Sequence, residues 1–340
     1  MTGIKEVADE VGLSQATVSR ALRGQRGVSE RNRERIEEAA ARLGYVASRT
    51  AVGLATGRTH LVAAVVPHVT RWYFGTVIHG AEQVLRKHGY DLLLFNLAGS
   101  AEARDRVLGT HAATKRADAL LLAGLQPSDA ERSWRDRHGT PAVLVGAVAE
   151  GWPSVTIDDE HVAVVAMQHL IDLGHQRIAY VGGEQANTLE FSTPGARHRG
   201  FLGSMDRAEH KVPPEYDHDG DFTLASGLEA GRALLRLPTP PTAIMCASDE
   251  MAIGVLRAAR ELHLAVPGDV SVIGVDDHEL SEHVDLTTVR QPVEELGRLA
   301  ATQLLQQLGE LPGSPPLPSH VRLETELVVR GTTGPPPPLH

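Results

Sequence analysis

The run Ser14-Gln15-Ala16-Thr17-Val18-Ser19-Arg20, with the helices on either side of it, constrains this chain most. Ile4, Val7, Ala8 and Val11 fall at i, i+3, i+4 and i+7, which lays one apolar stripe along a short helix. Gly12 breaks that helix, and the Ser14 hydroxyl stands where it can accept from the orphan N–H groups opening the next one. In the second helix Val18, Ala21 and Leu22 share a face that packs back on the first. The opposite face carries Ala16, Ser19, Arg20 and Arg23, with Gln15 at its exposed N-terminal end. A third helix, Glu30 to Leu43, adds Ile36, Ala39, Ala40 and Leu43 to a small core, and Gly44 stops it. Two helices joined by a tight turn, the second displaying small, polar and basic side chains, make a helix-turn-helix reader of the DNA major groove.

Such a face on a lone short helix is ordinarily just solvated, so the charge distribution is needed to decide. Between Met1 and His60 there are ten basic and seven acidic residues, a balance near +3, while the whole chain is −10. The remainder is therefore near −13. A basic head on an acidic body suits a protein whose front meets phosphate and whose rear does not. At 340 residues the chain is long enough for two or three units with buried cores. No stretch is long and apolar enough to span a bilayer and no secretory signal opens the chain, so a cytoplasmic protein without membrane contact is expected. The single cysteine, Cys246, sits in an apolar run and reads as a buried thiol. Seventeen histidines are scattered without the tight spacing of a zinc site, so no metal and no cofactor is expected.

From Leu61 the texture becomes βα alternation. Leu61–Val66, Asp91–Phe95, Ala119–Leu122 and Ala142–Val145 read as strands, and a helix runs from Thr76 to His88. A second series follows: a helix His161–Leu173, a strand Arg177–Val181, helices around Ala196–Met205 and Ala225–Leu237, a strand Ala243–Ala247, a helix Glu250–Leu262 and a strand Ser271–Val275. Continuous apolar strands between helices imply parallel sheets covered on both faces. The closing Gly331-Thr332-Thr333-Gly334 and four prolines favour neither helix nor sheet, and residues 331–340 are expected to be a disordered tail.

The order Ile4-Lys5-Glu6-Val7-Ala8, Gly12-Leu13-Ser14, Ala16-Thr17-Val18-Ser19-Arg20-Ala21-Leu22, Val28-Ser29 and Ala41-Arg42-Leu43-Gly44-Tyr45 resembles the lactose-repressor/galactose-repressor (LacI/GalR) family of bacterial transcription factors. The resemblance runs through nearly the whole chain. It implies an all-α helix-turn-helix headpiece (1–45), a hinge (46–60, with a hinge helix about 48–54) and an α/β two-lobed periplasmic-binding-protein-like sensor domain (61–330). In that body the N-lobe would take 61–158 and 291–320 and the C-lobe 159–290 and 321–330, with three crossovers near Asp158, Gln291 and residue 320. The resemblance also implies a homodimer on a palindromic operator, controlled by a small effector of the sugar or glycoside class. Gln15, Ala16 and Arg20 would meet base edges and Ser14, Thr17, Ser19 and Ser29 phosphates, while Leu54 would wedge into the minor groove. Where the family usually has Pro-Asn, this chain has Ala47-Ser48, and Gly53 costs about 1 kcal/mol of helix propensity relative to Ala.

Ligands of such bodies sit at the carboxyl ends of the strands, where loops of both lobes converge. The candidates there are Trp72, Tyr73, Phe74, Asp158, Arg197, Phe222, Ser248, Asp249, Asp276 and Gln291. Aromatic rings pack on sugar faces, the arginine fork gives directed bonds, and carboxylates and amides pair with hydroxyls. Asp159 and Ser248 stand where relatives carry asparagine, and the shorter serine changes the donor pattern. An enzyme on the same body is the competing reading, since Asp158/Asp159 and Asp276/Asp277 are carboxylate pairs. Sequence neighbours at a strand end point in different directions, however. There is also no Gly-x-Ser-x-Gly elbow, and Gly182-Gly183 is no dinucleotide fingerprint. A solute-binding transport component would need an export signal. No leucine heptad follows the body, so a tetramer built on one is not expected.

Overall fold

The computed structural model describes residues 3–22, 27–45, 58–183 and 192–338. The chain forms two compact units, Met1–His60 and Leu61–His340. The expected hinge helix, with Leu54, lies outside the described residues.

The first unit holds α1 (Ile4–Val11), α2 (Gln15–Leu22) and α3 (Glu30–Arg42). Gly12 caps α1 with φ of +67°, a left-handed conformation that glycine adopts without Cβ strain. The chain then restarts as α2 after only Leu13 and Ser14. Val7, Ala8, Val11, Val18, Ala21, Ile36, Ala39 and Ala40 form the core, as the periodicity predicts. Two arginines of α3 reach the neighbouring helices: Arg33 donates to the Ala21 carbonyl at 2.8 Å and Arg35 to the Val11 carbonyl at 3.1 Å. They supply partners for carbonyls that the last turns of α2 and α1 leave without one.

The second unit contains two six-stranded sheets. The first has the order β11-β5-β4-β3-β1-β2, built from β1 (Leu61–Val66), β2 (Asp91–Asn96), β3 (Ala119–Ala123), β4 (Ala142–Val145), β5 (Ser154–Thr156) and β11 (His320–Arg322), all parallel. The second has the order β12-β10-β9-β8-β6-β7, from β6 (Ile178–Gly183), β7 (Asp217–Gly220), β8 (Ala243–Cys246), β9 (Ser271–Asp276), β10 (Thr287–Arg290) and β12 (Glu326–Val328). Only β12 runs antiparallel to its neighbour, β10. The helices are α4 (Trp72–Lys87), α5 (Asp129–His138), α6 (Asp159–Asp172), α7 (Thr193–Arg207), α8 (Leu224–Leu234), α9 (Asp249–Glu261) and α10 (Val293–Gln307). A helical turn at Ala101–Arg104 continues as a π-turn to Gly109.

The chain passes between the two sheets after β5 and again after β10. It makes its third passage just after Leu323: His320–Arg322 pairs with β5, and the Leu323 N–H donates to the Thr156 carbonyl at 2.8 Å. Helix α10 was not anticipated, yet it is the main packing partner of α4. Their axes approach so closely that a Cβ on Gly297 would lie 2.0 Å from the Val77 carbonyl oxygen, and one on Gly80 2.1 Å from that of Glu294. Strand β7, Asp-His-Asp-Gly, escaped notice because an edge strand needs no apolar run.

The expected disordered tail is a correction, since residues 332–334 are hydrogen-bonded into the second sheet and its neighbours. Thr332 is 4% exposed. Its hydroxyl donates to the Val272 carbonyl at 2.7 Å and accepts from the Thr287 N–H at 2.9 Å, while its own carbonyl accepts from Val272 N–H at 2.8 Å. Gly334 adds contacts with the Ser271 hydroxyl at 3.1 Å and with the buried His175 ring at 2.9 Å. Composition marks the segment as unable to make regular structure, but buried polar groups elsewhere need the partners it offers. Thr332→Val keeps the shape and deletes the hydroxyl, so it is expected to lower stability by about 1–3 kcal/mol in urea unfolding, with Thr332→Ser close to wild type. Equal unfolding midpoints for all three chains would rule out that role for the tail.

Candidate functional site

In the first unit, Gln15, Ala16 and Arg20 are exposed on the side of α2 opposite its buried Val18 and Ala21, and Ser19 is half-exposed beside them. Ser14 opens the helix, its Oγ accepting from the Thr17 N–H at 3.2 Å and lying 2.9 Å from the Thr17 hydroxyl. Arg20 folds back so that its Nε donates to the Ala16 carbonyl at 3.3 Å, leaving the guanidinium tip over the N-terminal half of the face. Ser29 is exposed at the start of α3. The structure thus gathers Gln15, Ala16, Ser19 and Arg20 on one side of a short helix.

In the second unit, the strand ends of the two sheets meet at a buried guanidinium. Arg197, on α7, is 3% exposed. Its Nε and Nη2 lie 2.9 and 2.8 Å from Asp159 Oδ1, Nη1 donates to the Ala247 carbonyl, and Asp276 Oδ1 is 3.9 Å away. Burial opposes the charge, but Asp159 and Asp276 outweigh it and hold the group firmly protonated. Asp276 ends β9 at φ +129°, a conformation rare for any residue with a side chain, and Gln291 donates to its Oδ1. Burial pushes the Asp276 carboxyl up to about 8, against the pull of Arg197. Tyr73 faces the same centre, and burial raises its phenol further above the ordinary range, as do the nearby charges of Asp159 and Asp276. Its hydroxyl fills the place a side chain at Gly146 would take, 2.8 Å from where a Cβ would stand.

A cavity opens on each side of this centre. One, about 540 Å³, is lined by Gln126, Gly146–Val148, Asp158–Glu160, Ser192 and Arg199 among others. The other, about 450 Å³, is lined by Trp72, Thr76, Asp276, Asp277, Gln291 and the first turn of α10. Trp72, Asp158, Asp276 and Gln291 therefore border open space. Phe222 stands at φ +49° with its ring over Gly183.

Three expected ligand contacts are otherwise engaged. Phe74 is buried in the core, its ring edge-on to Tyr73 at 5.2 Å. Ser248 caps α9, accepting from the Met251 N–H at 3.4 Å. Asp249 is fully buried, and its carboxylate accepts from the Thr288 and Ser281 hydroxyls, both at 2.6 Å, and from the His278 N–H at 2.9 Å. Motif position could not separate these from contacts, because a strand end supplies helix caps and ligand groups alike. Asp158 also caps, accepting from His161 N–H at 3.0 Å, and pairs with Arg322 at 2.9 Å. Asp159, which the sequence shows as a replacement for asparagine and as half of a carboxylate pair, is the main counterion of the centre. Gln126 carried no signal that the sequence alone would reveal.

Asp249→Ala should abolish three hydrogen bonds in the core and cost roughly 3 kcal/mol or more of stability; an unfolding midpoint near wild type would contradict this structural role. For Asp276 the sign is opposite to that of a surface carboxylate. Its folded-state affinity for a proton is raised, so stability is full at low pH and declines as pH climbs from the ordinary carboxylate range toward 8. Asp276→Asn is therefore expected to gain on wild type in melting temperature between pH 5 and pH 8, and a parallel pair of pH profiles would exclude the shift.

Residues 3–48 match the model for bacterial regulatory proteins of the lacI family, and residues 167–333 that for a periplasmic binding protein-like domain. The chain is 34% identical over 336 residues to the HTH-type transcriptional repressor CytR of Escherichia coli K12, covering 97% of this chain and 96% of that one. It is 34% identical over 313 residues to the ribose operon repressor of the same organism, covering 91% and 93%. Among solved structures it resembles the lac repressor dimer bound to operator and the anti-inducer ONPF, with TM-score 0.83 and 26% identity over 98% of this chain and 99% of that chain. It likewise resembles a complex of the regulator CelR with cellobiose, with TM-score 0.68 and 31% identity over 98% and 100%. These relatives are regulators, which removes the enzyme reading of the α/β body. No helix among the described residues is long and apolar enough to cross a membrane. The headpiece, the two-lobed body and full-length similarity to repressors agree, and the chain belongs to the lacI family of bacterial transcriptional regulators.

Proposed function

We propose that this regulator is a repressor that grips a palindromic operator as a homodimer in the cytoplasm and adjusts that grip when a sugar or glycoside enters the cleft. The observation that carries the effector class is the polar centre between the lobes. Asp159 borders a cavity of about 540 Å³, Asp276 and Gln291 border one of about 450 Å³ with the Trp72 side chain as an apolar wall, and the buried Arg197 fixes Asp159 in place behind them. Hydroxyls on a compact ring need such paired partners, and a purely apolar ligand would leave them unsatisfied. Related structures hold cellobiose in one case and ribose in another.

On DNA, Gln15, Ala16 and Arg20 read base edges, Ser14, Thr17, Ser19 and Ser29 hold phosphates, and Leu54 enters the minor groove. A coupling of about 1–3 kcal/mol between effector and operator suffices for regulation. Selection from a random-sequence library, followed by anisotropy titration, tests the first half. Arg20→Ala should cut the preference for the selected palindrome over random DNA by roughly tenfold or more, and Leu54→Ala should reduce the operator kink that an apolar wedge produces, read from the gel mobility of circularly permuted fragments. A wild-type chain that enriches no palindrome would end the proposal. Thermal-shift screening of a sugar panel tests the second half, with Asp276→Ala expected to lose the shift yet bind operator normally.

A further inference from the structure

Arg71 is the N-cap of α4, an N-lobe helix, yet its side chain ends in the C-lobe. Its Nη2 lies 2.9 Å from Asp221 Oδ1 and its Nη1 donates to the Phe222 carbonyl at 3.1 Å, both just beyond β7. The guanidinium is mostly buried although Asp221 is exposed, so the contact is more than a surface ion pair. The next residue grips the same lobe elsewhere: the Trp72 ring centre is 5.0 Å from that of His278, which follows β9. The start of α4 thus holds the C-lobe at two strand ends, on the far side of the cleft from its own sheet.

We propose that Arg71 is a positioning residue that latches the two lobes together across the effector cleft and thereby sets the shape of the pocket. It acts through Phe222. That residue is held in a left-handed conformation, its ring against Gly183 and its carbonyl turned to Arg71. Releasing the guanidinium removes one tie between the lobes at the Phe222 carbonyl and another at Asp221, so the two strand ends can part. The arginine fork suits this role, since one group satisfies a carboxylate and a carbonyl at once, which a lysine cannot match in geometry. The inference rests on the cleft being the effector site. The latch itself can be measured with no ligand present.

Hydrogen–deuterium exchange on the full-length chain tests it, comparing wild type with Arg71→Ala, Arg71→Lys, Asp221→Asn and the swap Arg71→Glu/Asp221→Arg. The readout is the peptides carrying Gly146–Val148 and Gly195–Ala196, which line the larger cavity. Arg71→Ala should speed their exchange several-fold, Arg71→Lys less, and the swap should recover part of the loss. Faster exchange confined to residues 68–73 and 220–223, or no recovery in the swap, would overturn the latch and leave a local contact. Operator affinity of the same variants then separates the two ideas. A latch with regulatory weight changes affinity at least threefold without effector. Opened lobes with unchanged affinity would overturn the regulatory reading while the latch stands.

Discussion

The body depends on one buried charge. Taking a guanidinium out of water is costly unless its surroundings return both counter-charge and hydrogen bonds. Arg197 receives Asp159 from the first turn of α6, the Ala247 carbonyl from the end of β8 and the proximity of Asp276 at the end of β9. Three elements far apart in sequence are thus held to one point at the mouth of the second sheet. Asp276 adopts backbone angles that few side chains tolerate, and Gln291 at the crossover secures its carboxyl. The members of this polar centre depend on one another, because misplacing any of them leaves another unsatisfied.

The same logic of satisfying buried polar groups explains features remote from the cleft. Asp249 gathers Ser281, Thr288 and the His278 amide, fixing the β9–β10 connection behind the site. Thr332 completes backbone groups of Val272 and Thr287. In the headpiece, Arg33 and Arg35 serve the carbonyl ends of α2 and α1, while Gln15, Ala16 and Arg20 stay exposed on α2.

The architecture was legible in the sequence because its causes are local. The i, i+3, i+4, i+7 stripe of Ile4 to Val11, the glycine at position 12 and apolar runs such as Leu61–Val66 state helix, stop and buried parallel strand directly. Family motifs extended this to the lobes and to Arg197 and Asp276 at their centre. Helices α5 and α10 and strands β5, β7, β10, β11 and β12 are not legible in the same way: β7 is polar, and β5, β11 and β12 are only three residues long.

What tertiary structure alone decided is how each polar side chain is used. Asp158, Asp249 and Asp276 all follow strands and look alike in the sequence. One caps a helix beside a cavity, one is consumed by three donors, and one borders the cleft with a raised proton affinity. Phe74 and Trp72 are two residues apart, yet one packs in the core and the other faces open space. Arg71 finds its partners 150 residues further on. Periodicity and propensity reach a few residues along the chain, whereas burial and hydrogen-bond satisfaction are set by neighbours that only folding brings together.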